Sequence, residues 1–170
     1  MAGKLVQVAT STVSGSVANV TLTGINSDNV HLLAISKYEN DTDNRDVWLR
    51  FTVGGTADTS SNYDNSSKEL RSDTTFGNRY SPNQSVIQIA GNIGIQVGEQ
   101  MNALIYLYNF NNASGYSHCG FDTTYLNITP NHRGRQGGAV LTVNQATDGV
   151  QILGAGGNID NGTFTLYKVI

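Results

Sequence analysis

Residues 47–53 alternate without a break: Val47, Leu49, Phe51 and Val53 are apolar, and Trp48, Arg50 and Thr52 stand between them. A period of two belongs to a strand with one buried face, and an amphipathic helix does not present it. The pattern assigns all four apolar residues to a core. The same period returns along the chain. Ala18, Val20 and Leu22 alternate with Asn19, Thr21 and Thr23; near the end, Phe164, Leu166 and Lys168 alternate with Thr163, Thr165 and Tyr167. Asp160-Asn161-Gly162 reads as a tight hairpin turn in front of that closing strand. Residues 30–38 carry Leu32, Leu33, Ala34 and Ile35 in a row, as a strand covered on both faces would. Residues 101–110 form a long strand with Ala103, Ile105 and Leu107 on one face and Leu104, Tyr106, Tyr108 and Phe110 on the other.

Shorter strands are expected at 4–13, 68–72, 85–89, 93–97, 116–128, 139–143 and 150–153, and Gly94 suggests a bulge. Polar stretches at 39–46, 54–67, 73–83 and 129–138 read as connections, and the long one at 54–67 as a surface loop. No segment shows helical periodicity with caps. Roughly ten short strands separated by Gly, Asn and Ser turns predict an all-β fold, an antiparallel β-sandwich of jelly-roll type. No repeat or linker divides the chain, so one domain over residues 1–170 is expected.

Composition narrows the partners. The net charge is −3 with only 14 % charged residues, which gives no electrostatic footprint for nucleic acid. The one cysteine, Cys119, excludes an internal disulfide. The opening Met1-Ala2-Gly3-Lys4-Leu5 has no leader-like apolar run and no segment has the length of a membrane span, so no membrane partner and synthesis in cytoplasm are expected.

Few groupings suggest chemistry. Gly154-Ala155-Gly156-Gly157 follows a strand, but Ile159 stands where a dinucleotide turn needs its third glycine. Gly115-Tyr116-Ser117-His118-Cys119 resembles a nucleophile elbow; adjacent strand residues point to opposite faces, however, so Ser117 and His118 form no nucleophile–base pair. His31, His118, Cys119 and His132 lack the spacing of a metal site. Asp41, Asp43 and Asp46 are spaced like calcium ligands, but Arg45 and the missing distal Glu favour a solvated turn. His132-Arg133-Gly134-Arg135 is a small basic loop cluster, suited to a phosphate contact or to a salt bridge. No enzyme and no cofactor are expected. Tyr63, Tyr80 and Tyr116 sit in or beside polar loops, where tyrosine either contacts sugars and proteins or packs on the sandwich edge. The face of Leu104, Tyr106, Tyr108 and Phe110 is expected to meet a second subunit or another protein.

Three passages carry a family resemblance. Gly3-Lys4-Leu5-Val6-Gln7-Val8, Val20-Thr21-Leu22-Thr23-Gly24-Ile25 and Val30-His31-Leu32-Leu33 open the chain. Val47-Trp48-Leu49-Arg50-Phe51-Thr52-Val53-Gly54-Gly55 leads to Ser61-Asn62-Tyr63, and Gly157-Asn158 precedes Gly162-Thr163-Phe164-Thr165-Leu166-Tyr167. Together they resemble small jelly-roll virion proteins of tailed phages, cyanophages among them. Thr52-Val53-Gly54-Gly55 stands where that family has Asn-Gly-Asp, so no role of that acidic residue carries over; Lys168 replaces a usual Gly. The resemblance implies a capsid decoration (cement) protein, a homotrimer seated on the major capsid protein and located in the virion. Its alternative is a tail-fibre or receptor-binding tip that contacts host-surface glycan.

Overall fold

The computed structural model describes residues 3–170; Met1 and Ala2, part of the opening stretch read for a leader, lie outside it. The described residues form thirteen strands: β1 (Leu5–Val17), β2 (Asn19–Thr23), β3 (His31–Asn40), β4 (Arg45–Val53), β5 (Thr56–Ala57), β6 (Tyr63–Arg71), β7 (Gly77–Gln84), β8 (Ile87–Ile93), β9 (Met101–Tyr108), β10 (Ser117–Leu126), β11 (His132–Leu141), β12 (Gly149–Gly154) and β13 (Ile159–Val169). All pairings are antiparallel.

Two sheets result, one ordered β1-β13-β3-β9-β10-β11-β6-β7 and the other β2-β12-β4, with β5 and β8 sharing the free edge of β4. The pairing is nested. β1 pairs with β13, β2 with β12, β3 with β9 and β4 with β8. A chain doubled back on itself in this way and wound across two sheets is a jelly roll. Two excursions extend it: β6-β7 leave between β4 and β8, β10-β11 leave between β9 and β12, and together they lengthen the first sheet beyond β9.

One hydrophobic core lies between the sheets. Leu33, Ile35, Ile105, Leu107, Phe164 and Leu166 face Val20, Leu22, Leu49, Phe51, Val150 and Ile152. Phe51 packs against Phe110 with ring centroids 4.7 Å apart and edge-on to Tyr63 at 5.6 Å. Apolar area buried on this scale dominates the stability of a sandwich. Phe164 and Leu166 are fully buried, so the closing strand is an interior strand between β1 and β3.

Several expectations change. Asn161-Gly162 is not a hairpin turn: both lie within β13, at a register irregularity against β3, and the turn is at 155–158, where Gly156 has φ 76°. Val53 sits at the frayed end of β4 and is exposed, whereas Val47, Leu49 and Phe51 are buried. The polar stretches 54–67, 73–83 and 129–138 hold β5, much of β6 and β7, and most of β11. The strand expected at 93–97 is absent; β8 ends at Ile93, and beyond it the Glu99 carboxylate accepts the Gln96 amide at 2.8 Å.

A candidate ligand-binding face

The outer face of the longer sheet places most of the singled-out aromatics together. Strand register sets one row straight across it: Tyr106 on β9, Gly120 on β10, Gly138 on β11, Ser66 on β6 and Tyr80 on β7. The row spans four strand spacings, roughly 19 Å. Its ends are aromatic and its middle is nearly free of side chains. Tyr108 stacks beside Tyr106 with ring planes 18° apart, and Tyr80 is 80 % exposed. The result is an open trough of about 620 Å³ between Tyr108 and Tyr80, floored by Gly120 and Gly138.

Mostly polar rows flank it. On one side are Tyr108, His118, Val140 and Asp64; on the other, Leu104, Asp122, Gln136, Lys68 and Asn78. The flanking groups hold one another in place. Gln136 Nε2 donates to Asp122 Oδ2 at 3.1 Å, Lys68 Nζ to Asn78 Oδ1 at 2.9 Å, and Asp64 Oδ1 accepts the Asn83 amide at 2.8 Å.

The two floor glycines have different reasons. A Cβ on Gly138 would stand 2.8 Å from the Cys119 carbonyl oxygen, so the backbone approach there demands glycine. A Cβ on Gly120 would meet only Tyr108 Cε2 at 3.8 Å and Gly137 O at 3.9 Å, which are ordinary contacts. Packing does not require glycine at 120.

Two singled-out residues belong elsewhere. Tyr63 is not a loop contact: it starts β6 facing inward, fully buried, and its hydroxyl accepts the Phe51 amide at 3.0 Å. Burial pushes that phenol above its ordinary range. Phe110 does not continue the Leu104–Tyr106–Tyr108 face. Asn109 adopts φ 59° and Asn111 φ 58°, which breaks the alternation and turns Phe110 into the core against Phe51. Tyr116 is exposed on the turn before β10, where its carbonyl accepts from Asn109 Nδ2 at 2.8 Å.

The other groupings resolve into structure. Ser117 is buried and bonded to Thr147 Oγ1 at 2.7 Å, while His118 points outward from the same strand. Cys119 faces the core, and burial pushes its thiol up to about 12, far from a nucleophilic thiolate. Asp41 clasps one end of the sandwich, accepting from the Asn158 amide at 2.9 Å, Thr42 Oγ1 at 2.9 Å and Ser16 Oγ at 3.2 Å. These bonds, the Thr42 hydroxyl first, lower its pKa. Among the described residues, no three His, Cys, Asp or Glu side chains gather as metal ligands would. His132–Arg135 is strand, not loop. Arg133 and Arg135 point inward and are buried, with Arg133 paired to Asp73 at 3.0 Å and to Glu69 at 3.8 Å; Glu69 in turn pairs with Arg79 at 2.6 Å.

A separate apolar feature lies on the loops at one end of the sandwich. Val97 is fully exposed, and Phe76, Ile95 and Ile128 are exposed with it. The loops bearing Ile95 and Ile128 touch, because the Ile128 amide donates to Asn92 O at 3.1 Å and Ile93 bridges Asn127.

No protein-family model, no curated protein and no solved structure matches this chain.

Proposed function

We propose that this chain is a structural protein of a tailed-phage virion, a decoration protein that reinforces the capsid shell. The sequence resemblance supports this reading, and the nested jelly-roll wrap is the fold that the resemblance implies. The observation that carries it furthest is the exposed apolar set Phe76, Ile95, Val97 and Ile128 at one end, where the loop before Phe76 meets the Ile128 loop through Asn131 Nδ2 and Asp73 Oδ2 at 3.5 Å. Single exposed apolar residues are ordinary on a protein surface, but four on neighbouring loops of one end mark a place to be covered. In this reading that end seats on the major capsid protein, and further copies of the chain complete a homotrimer around the seat.

Purified capsids stripped of the protein provide the test. Recombinant wild-type chain is expected to sediment with them, and the Phe76→Asp/Val97→Asp variant to stay in the supernatant while keeping its wild-type circular dichroism. Undiminished sedimentation of that variant would remove the apolar end from the reading.

A second reading is a tail-fibre or receptor-binding tip that contacts host-surface glycan. The exposed Tyr80, Tyr106 and Tyr108 favour it. The two readings share a fold, so they separate on where the protein sits in the virion and in how many copies.

A further inference from the structure

The geometry points to the trough between Tyr80 and Tyr108 as a binding site for a neutral oligosaccharide lying across the strands. This deepens the glycan reading by naming its site and ligand class. It rests on that reading only for the idea of a sugar, and it holds whether the chain sits on head or tail.

A sugar ring presents apolar C–H faces and a rim of hydroxyls. Such a ligand needs flat aromatic surfaces, room to lie down, and polar groups along its edges. The trough supplies all three. Tyr80 walls one end and Tyr108 the other, with Tyr106 stacked against Tyr108 at a ring-centroid distance of 6.4 Å. Between them the Gly120–Gly138 floor leaves the sheet bare, and Gly120 is bare without a packing reason. His118 and Asp64 line the cleft, where an imidazole and a carboxylate can bond hydroxyls as donor and acceptor.

Other ligand classes fit less well. An added peptide strand needs unpaired ladder groups, but β9, β10, β11 and β6 are each paired on both sides. Nucleic acid needs cations, and the charged groups beside the trough are Asp64 and Asp122 against Lys68. The same balance disfavours acidic sugars. A purely apolar ligand would be left half in water by so open a cleft.

The test is titration of the intact chain with a panel of neutral gluco-, manno- and galacto-configured oligosaccharides, followed by calorimetry and by tyrosine fluorescence. At least one is expected to bind. Tyr80→Ala and Tyr108→Ala should each weaken binding by about tenfold. Gly120→Ala, whose Cβ meets only ordinary contacts, should weaken binding with the unfolding midpoint kept, and Gly120→Val, which fills the floor further, should abolish it. Val97→Asp should leave binding unchanged, so that failure of this site and failure of the capsid seat are read separately. No binding across the panel, or binding that survives Gly120→Val, overturns the proposal. So does a light-scattering mass showing copies held together through this face, released by Tyr106→Ala.

Discussion

Tyr63 puts its hydroxyl where the edge of β4 passes from β8 to β5, and there it accepts the Phe51 amide and donates to Asp58 O at 3.2 Å. The Tyr63→Phe change leaves a buried amide without a partner, which costs about 1–3 kcal/mol. The expected outcome is a lower urea midpoint with an unchanged slope; an unmoved midpoint would mean that water replaces the hydroxyl. His31 is the second residue with a measurable consequence. It is fully buried, with Nδ1 2.8 Å from Asn29 O and no partner for Nε2. Burial, with nearby Lys168 adding to it, lowers its pKa. The folded pKa therefore lies below the unfolded value, so the unfolded chain binds the proton first as pH falls. Stability from this group is fully present above a pH of about 6.5 and is lost below it. Urea midpoints should fall between about pH 7.5 and pH 5.5 in the wild type and stay nearly level in His31→Asn. An equal fall in both would assign the dependence to other groups. Residues of this kind were only partly legible. The alternation of 101–108 placed Leu104, Tyr106 and Tyr108 on one face correctly, but it could not reveal that Asn109 leaves extended backbone and sends Phe110 inward. Tyr63 was misread for a related reason, since its polar neighbours hid the start of an inward-facing strand.

At the scale of elements, β11 explains what the sequence concealed. Its inward positions include Arg133 and Arg135, with Glu69 on β6 facing them: the first half of the strand buries charged side chains, and the apolar Ala139 and Leu141 come only after it. Its outward positions include Gly134, Gln136 and Gly138. Over residues 132–138 no inward position is apolar, so hydrophobic alternation marks only the end of the strand, at Ala139 and Leu141. The glycines of β10 and β11 then separate by substitution. A Cβ on Gly137 would run into the Ser66 carbonyl oxygen and Ser67 Cβ, so Gly137→Ala should destabilise by on the order of 1–3 kcal/mol. Gly120→Ala should be neutral or slightly stabilising, since it removes backbone freedom from the unfolded chain. Thermal midpoints of the two variants decide the matter; a similar loss in both would show that β10 is as crowded as β11. The trough itself was not legible. Tyr80 lies on β7 and Tyr106 and Tyr108 on β9, and only the pairing across β10, β11 and β6 brings Tyr80 and Tyr106 to one row, with Tyr108 in the next.

For the whole molecule, the first strand pairs with the last and a single core joins both sheets. Removing residues 159–170 takes out the strand between β1 and β3, and the expected result is loss of cooperative unfolding rather than a modest drop in stability. Retention of a sharp transition in that truncation would mean that the rest of the jelly roll folds alone. This architecture was the most legible property of the chain: period-two segments such as 47–53 and 163–168 imply sheets with a dry and a wet face, whatever their order. The order itself comes from long-range pairing, which alternation within a segment does not carry. The apolar end and the trough occupy different parts of the surface, so one chain can be anchored at one and bind at the other. The proposed role in a virion is tested most directly by counting. Quantitative mass spectrometry of purified, DNA-filled virions should find this chain in numbers that scale with the major capsid protein and that remain with tailless heads. A handful of copies that depart with the tail, or absence from the virion altogether, would contradict the capsid-decoration role.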